Sequence, residues 1–123
     1  MRMFDRRRFL QAAGTLALSY SFPLKGQARF SSYPFALGVA SGYPSPRSVV
    51  LWTRLVGNLD PLPIPVRWEI AGDEAMRKIV ASGSVQALPE WAHSVRVEPP
   101  ALEPDRWYWY RFVAGDAASP VGR

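Results

Sequence analysis

Leu102-Glu103-Pro104-Asp105-Arg106-Trp107-Tyr108 is the stretch of sequence that decides the fold. A leucine, a proline two positions later and a tyrosine four positions after the proline, where an apolar run begins, are typical of a tyrosine corner. In such a corner the tyrosine hydroxyl bonds back to the chain a few residues upstream and fixes how the chain enters a strand. We therefore expect Leu102, Pro104 and Tyr108 to begin a strand of a β-sandwich.

The spacing of the prolines extends this prediction to the rest of the chain. Eleven of the 12 prolines lie after residue 28 and leave no room for long helices. The stretches between them are rich in β-branched and aromatic residues, which favour strands. The predicted strands are residues 48–53, 66–71, 94–98 and 107–113, with less regular ones at 35–40, ending at Ser41-Gly42, and at 78–87, interrupted at 82–84. A short helix over 73–81, capped by Asp73, is the alternative to the last of these; we favour a turn at 71–74 that leads into an edge strand.

Alternation along the predicted strands gives the face that each side chain occupies. The residues expected inside are Val50 and Trp52; Val66, Trp68 and Ile70; Val95 and Val97; and Tyr108, Tyr110 and Phe112. Trp52 is expected to be the tryptophan of the core. The charged residues then all point outward, so the hydrophobic pattern and the charge pattern agree. They are Arg67, Glu69, Arg96, Glu98 and Arg111.

These strands predict an all-β fold class, an antiparallel sandwich of the fibronectin type III or immunoglobulin-like kind. Such a sandwich has seven strands, whereas six are predicted before the turn-rich residues 114–119. We therefore expect the last strand to be missing and the edge of the strand at 107–113 to be unpaired. On this interpretation the chain is an N-terminal piece of a longer protein.

One outward face of the predicted sandwich carries large aromatic groups. Alternation places Trp107 and Trp109 there beside Arg111, with Arg67 on the neighbouring strand. Large exposed aromatic groups are normally covered by something. Three interpretations stay open: a contact surface for a further domain, a platform for carbohydrate or another envelope ligand, and a local stack of arginine on tryptophan.

The positive charge of the chain is confined to its N-terminus. The formal charge is +5, and residues 1–30 hold six of the 15 basic residues but one of the 10 acidic ones, so the remainder is neutral. The early arginines are followed by leucine and alanine rather than by interleaved polar or aromatic groups. We therefore exclude a nucleic-acid partner.

Residues 1–28 have the order of a secretory signal peptide: basic residues, an apolar stretch at 9–22, and small residues before a cleavage position after Ala28. Arg6-Arg7 followed by Phe9-Leu10 resembles the twin-arginine export motif, whose partner is the twin-arginine translocase. An ordinary secretory signal or a basic tail is the alternative. We expect a periplasmic or secreted protein that meets a membrane only transiently, organised as a signal peptide at 1–28, a linker at 29–34 and a β-sandwich at 35–123.

No catalytic or metal-binding residue is predicted. The sequence has no cysteine and one histidine, His93, at the start of a strand, where a surface or capping role is expected. Ser41, Ser45 and Ser48 are assigned to turns and a strand start, and a serine nucleophile needs a base that only His93 could offer. The clustered ligands that metal-assisted hydrolysis requires are absent from the sequence.

Several ordered motifs point to one family. They are residues 35–42 (FALGVASG), 48–55 (SVVLWTRL), 66–69 (VRWE), 107–112 (WYWYRF) and 119–123 (SPVGR). Together they closely resemble the N-terminal domain of the alkaline phosphatase D family. The family pattern has an aspartate where this chain has Tyr43, so that loop lacks the carboxylate and has a changed turn.

The resemblance implies an exported phosphomonoesterase or phosphodiesterase whose active site, with calcium and iron in the best-known members, lies in a metallophosphoesterase domain after the sandwich. It implies no catalytic residue, metal ligand or cofactor within this chain. We therefore expect a non-catalytic N-terminal domain that packs against the catalytic domain and is inactive alone. The alternative is a stand-alone exported binding module that uses the exposed tryptophan and arginine face.

Overall fold

The structure is a computed structural model that describes residues 29–123. The predicted export motif, which comprises Arg6, Arg7, Phe9 and Leu10, and the predicted cleavage position at Ala28 lie outside the described residues. In the described part of the chain, no helix has the length and apolar character needed to span a membrane.

Seven strands form two antiparallel sheets. The strands are β1 (Val39–Ser45), β2 (Ser48–Arg54), β3 (Ile64–Ala71), β4 (Ile79–Ala87), β5 (Ser94–Val97), β6 (Trp109–Ala114) and β7 (Ala117–Ala118), with a 3-10 helix at Pro89–Trp91 before β5. One sheet has the order β1-β2-β5 and the other β4-β3-β6-β7. The predicted all-β class is confirmed, while the narrower fibronectin type III or immunoglobulin-like assignment stays a prediction.

The core lies between the sheets and is built on β3. Val66, Trp68 and Ile70 alternate inward as predicted and are buried. From the facing sheet, Leu51 on β2 and Val95 on β5 pack into the same cluster. The tryptophan of the core is Trp68.

The predicted phase of β2 is wrong, although Val50 is buried as predicted, outside the core cluster. Leu51 and Thr53 point inward, and Thr53 is 0% exposed because its hydroxyl donates to the Gly38 carbonyl oxygen at 2.9 Å. Trp52, predicted as the core tryptophan, is half-buried on the outer face between Ala40 and Arg96. The four consecutive apolar residues 49–52 gave no alternation from which the inward face could be chosen.

The first strand also differs from its prediction. Phe35 lies in a turn, closed by the Gly38 amide donating to the Phe35 carbonyl oxygen at 2.9 Å, and its ring is buried in the core. Gly38 has a φ of 81°, which glycine adopts without strain. β1 begins after this turn and continues through Ser41 and Gly42, which were predicted to end the strand. The pairing with β2 shifts between Gly42 and Ser45.

β4 runs without the predicted interruption, because Gly83 pairs directly with Trp68 of β3. A β-carbon at Gly83 would lie 2.6 Å from the Trp68 ring, so only glycine leaves room for the indole. The turn before β4 forms as predicted, and the helical alternative is wrong. The Asp73 carboxylate accepts hydrogen bonds from the amides of Lys78 at 2.7 Å and Arg77 at 3.0 Å, and so holds that turn.

The prediction that the strand at 107–113 has an unpaired edge is wrong, because the corresponding strand, β6, is paired. β7 pairs with Val113 and Ala114, and Gly122 forms an isolated bridge with Tyr110. Between these, the Phe112 amide donates to the Ser119 hydroxyl oxygen at 2.9 Å, and its carbonyl accepts from the Ser119 amide at 2.8 Å. A two-residue strand and a single bridge therefore cover the edge that a full seventh strand was expected to occupy.

Candidate interaction surface

The tyrosine corner forms around the Tyr108 hydroxyl, which accepts a hydrogen bond from the Glu103 amide at 2.9 Å. Leu102 is buried, and its amide donates to the Arg47 carbonyl oxygen at 2.9 Å. The Ser48 hydroxyl donates to the Pro99 carbonyl oxygen at 2.7 Å. These bonds hold the segment before β6 against the β1–β2 turn and so fix the position of Trp107, which lies in that segment.

The predicted surface of Trp107, Trp109, Arg111 and Arg67 is divided between two places. β6 begins at Trp109, so strand alternation does not extend back to Trp107. Trp109, Arg111 and Arg67 lie on the outer face of the four-stranded sheet, where Arg111 pairs with Glu69 in the strand register. Trp107 lies instead beside the tyrosine corner and is 64% exposed. The prediction that Trp107 and Trp109 share one face is therefore wrong.

The outer face of the four-stranded sheet is organised by Glu69. Its carboxylate accepts from Arg111 Nε at 2.8 Å and contacts Arg67 Nη2 at 2.9 Å. Alternation placed Glu69 outward correctly, but the residue is buried because the two arginine side chains flank it. The ion pairs satisfy this carboxylate internally.

A cleft of about 340 Å³ opens between the two sheets beside the tyrosine corner. Its inner wall consists of core residues, among them Leu51, Ile70 and Tyr110. Its outer wall includes Ser41 of β1 and Trp107. The cleft is therefore apolar at its base and reaches the core of the sandwich.

Trp107 stacks with Arg123 at the rim of this cleft. The guanidinium carbon of Arg123 lies 4.4 Å from the centre of the indole. An arginine–tryptophan stack was one of the sequence interpretations, with Arg111 or Arg67 as the partner. Both of these arginines bind Glu69 instead.

Tyr110 closes the inner wall of the cleft against Gly122. A β-carbon at Gly122 would lie 2.5 Å from the tyrosine ring, so this close approach requires glycine. Burial raises the pKa of the Tyr110 hydroxyl, and the Ser41 hydroxyl opposes this shift. The side chain of Tyr110 thus lies between the end of the described chain and β1.

Of the surface or capping role predicted for His93, the surface alternative is wrong, because the residue is buried. Its Nε2 lies 3.0 Å from the Leu62 carbonyl oxygen, which ties the start of β5 to the loop before β3. Within residues 29–123, no group of three His, Cys, Asp or Glu side chains could hold a metal ion. The family resemblance places calcium and iron in the domain after the sandwich, and we assign no ligand for them among the described residues.

A family model described as PhoD-like phosphatase, N-terminal domain, matches residues 19–123. The chain belongs to this family. It is 48% identical to alkaline phosphatase D of Bacillus subtilis (strain 168), in an alignment that covers 98% of this chain and 23% of that protein. A solved structure described as "Structure of PhoD" is 54% identical and superposes with a TM-score of 0.75, over 76% of this chain and 19% of that one.

The chain thus spans less than a quarter of the length of the relatives it matches. The sequence pattern drew attention to Trp107 but missed its arginine partner and the cleft. Gly122 was the available signal, because a glycine opposite an aromatic residue marks a close approach. The register that brings Gly122 to Tyr110 depends on the short β7.

Proposed function

We propose that this chain is the non-catalytic N-terminal module of an exported PhoD-like phosphatase and that it packs against the catalytic part of that enzyme. The observation that carries the proposal is the match over residues 19–123 to a domain described as N-terminal, together with the small share of the relatives that the chain spans. Phosphoester hydrolysis assisted by metals needs convergent ligands. The family resemblance assigns those ligands, for calcium and iron, to the domain that follows the sandwich.

The sandwich is suited to a supporting role because the β6 edge and the buried Glu69 carboxylate already have partners within it. The β6 edge is covered by Ser119 and Gly122, and the buried Glu69 is paired with two arginines. What the described surface offers a partner is aromatic and apolar area, with Trp107 as its largest exposed ring near the cleft. Tryptophan and arginine are enriched at protein interfaces.

The test of a non-catalytic role is an activity comparison among three proteins. One is the 123-residue chain alone. The second is B. subtilis alkaline phosphatase D with its matched region replaced by this chain, called the fusion below. The third lacks the matched region altogether. We expect the chain alone to hydrolyse neither p-nitrophenyl phosphate nor its bis ester, and the fusion to hydrolyse one of them and to resist thermal inactivation longer than the deletion.

Hydrolysis by the chain alone would overturn the proposal. A deletion as active and as heat-resistant as the fusion would overturn it as well, since a module that packs against an enzyme slows its unfolding.

Export by the twin-arginine route is part of the same proposal. It rests on Arg6-Arg7 and Phe9-Leu10 in the basic and apolar order of a signal peptide. Replacing both Arg6 and Arg7 with lysine is expected to leave the protein in the cytoplasm of a bacterial host that has the translocase. Arg2→Lys, in the same basic region, is the matched control and should be exported normally. Normal export of the double variant would defeat the assignment.

A further inference from the structure

The cleft beside the tyrosine corner is an incomplete part of the sandwich. Ser41 pairs directly with Leu51, so both side chains belong to the inner face of their sheet. Leu51 is buried, whereas Ser41 is exposed and lines the cleft. An inner-face position therefore remains open to solvent in the described chain.

β1 from Ala40 onward has the same character. Every residue from Ala40 to Ser45 is exposed, although the strand is paired with β2 over most of its length. The opposite wall of the cleft contains Ile70 and Tyr110, both buried members of the core cluster. β1 thus covers the hydrogen bonds of β2 but contributes little to the core beyond Val39, and the cleft beside it is a slot with an apolar base.

The rim of the slot carries the features of a protein contact. Trp107 is 64% exposed, and Arg123 is held over its ring. Pro44, Pro46 and Pro104 line the same opening and add rigid apolar surface. Rigid apolar groups around a large aromatic ring are typical of the centre of a protein interface.

The occupant follows from the longer relatives and from the position of Arg123. Arg123, which the family match includes, lines the cleft. The match covers 23% of one of these relatives and 19% of the other. In both relatives, more than three quarters of the polypeptide lies outside the match and is the source of a segment that could cover the slot.

We propose, on the basis of the proposed function, that this cleft receives an apolar segment from the part of the phosphatase that follows the sandwich, with Trp107 as the principal contact. The outer face of the four-stranded sheet is the weaker candidate. Its buried carboxylate is already paired with Arg67 and Arg111, and Trp109 is half-buried against its own sheet. The docking surface is thus the cleft and not the face predicted from strand alternation.

Hydroxyl-radical labelling read by mass spectrometry tests this assignment, because tryptophan oxidation reports solvent access at single residues. The 123-residue chain and the fusion defined above are compared under the same radical dose. Trp107 reports on the cleft, Trp109 on the outer face, and Trp91, which is 69% exposed on the 3-10 helix, serves as the reference. We expect oxidation of Trp107 to fall several-fold in the fusion, while oxidation of Trp91 and Trp109 is unchanged.

The other outcomes separate this inference from the function on which it rests. Protection of Trp109 with Trp107 unchanged would overturn the cleft as the docking site and leave the packing proposal standing. No protection at either residue would overturn the cleft assignment, and it would overturn both proposals if the fusion were also no more heat-resistant than the deletion.

A pair of variants provides a second measurement that does not depend on labelling. Trp107→Ala and Trp91→Ala each remove one exposed ring and should leave the isolated chain equally stable. In the fusion, only Trp107→Ala is expected to speed thermal inactivation several-fold. Equal inactivation rates for the two variants would overturn the cleft assignment.

Discussion

The indole of Trp68 lies against Gly83 of the neighbouring strand, so close that a β-carbon there would be 2.6 Å from the ring. This contact explains why β4 contains a glycine flanked by two serines and still runs without a break. The glycine gives up side-chain packing of its own so that the largest core residue can fill the space between the sheets. The core of this sandwich therefore depends on a residue with no side chain.

Substitution of Gly83 by alanine is expected to destabilise the chain by about 1–3 kcal/mol, because the added methyl group must displace the indole. Urea unfolding of the 123-residue protein measures the change. Gly72→Ala is the matched control, since nothing lies within 4 Å of a β-carbon there. The control should be unchanged or slightly more stable. Equal effects at the two glycines would contradict the described position of Trp68.

Glu69 is the second residue at which we expect a substitution to destabilise the chain. Glu69→Ala is expected to cost about 1–2 kcal/mol, because it removes two charge-assisted contacts from a buried position beside partly solvated arginines. Glu103→Ala removes a similar contact to Arg106, at 3.1 Å, between two exposed side chains. That control should cost less than about 1 kcal/mol.

A double-mutant cycle over Glu69 and Arg111 assigns the loss to the pair. Additive effects of Glu69→Ala and Arg111→Ala would show that the 2.8 Å contact contributes nothing beyond the two separate side chains. A coupling energy of more than about 0.5 kcal/mol is the expected result.

Tyr43 occupies a strained backbone position, with a φ of 52° directly before Pro44. A non-glycine residue in this region costs about 1–2 kcal/mol, and the ring, which is 83% exposed, gains little packing in return. We predict that Tyr43→Gly stabilises the chain by about 0.5–1 kcal/mol after the entropy of the added glycine is subtracted. Tyr43→Asp restores the aspartate of the family pattern and should lie between glycine and tyrosine, because aspartate tolerates this conformation better.

Thermal and urea unfolding check this order. Tyr43→Phe keeps the bulk and the backbone strain, and it should match the original chain. If the glycine variant is no more stable than the phenylalanine variant, the backbone at residue 43 is not strained. A stability order of glycine, then aspartate, then tyrosine would attribute the aspartate of the resembled family pattern to backbone conformation rather than to charge.

The turn before β4 should weaken in acid. The Lys78 amide, and to a smaller extent the Arg77 amide and the charges of both residues, hold the pKa of Asp73 below its ordinary value of 3.8. A carboxylate whose pKa is lowered on folding stabilises the protein above the unfolded pKa, and this stabilisation is lost as the pH falls through the folded pKa. Asp73→Ala should therefore destabilise the chain at neutral pH and have little effect below the folded pKa.

Urea unfolding of this variant and of the original chain, measured from about pH 6 down to about pH 2, gives the profile. Glu74→Ala controls for the loss of a neighbouring acidic charge. If the difference in the free energy of unfolding between Asp73→Ala and the original chain stays constant over this pH range, the role of the ionised carboxylate is contradicted.

The sequence predicted well where alternation was clean. From Val66 to Ile70 of β3, apolar and charged residues alternate strictly, and Trp68 and Glu69 lie on the faces that were expected. β2 has no such alternation, because its four consecutive apolar residues allow either face. The prediction placed Trp52 in the core, whereas Leu51 and Thr53 are the residues that point inward. A threonine with no exposed surface is not visible in a hydrophobic pattern, since its burial depends on the distant Gly38 carbonyl.

The candidate surface was less predictable than the fold for a related reason. The prediction extended the strand alternation from Trp109 back to Trp107. The strand begins at Trp109, however, and the backbone turns at Asp105, whose φ is 64°. The cleft also depends on contacts across long sequence separations, such as Tyr110 with Gly122 and Ser41 with Leu51. Only the tertiary pairing brings these residues together.

Calorimetric unfolding of the fusion tests the central claim, that this sandwich packs against the rest of a PhoD-like phosphatase. Domains joined by an extensive apolar contact unfold together, whereas domains joined only by a linker unfold separately. We predict a single cooperative transition for the fusion, at a higher temperature than that of the 123-residue chain alone. Two transitions, one of them at the temperature of the isolated chain, would contradict the account.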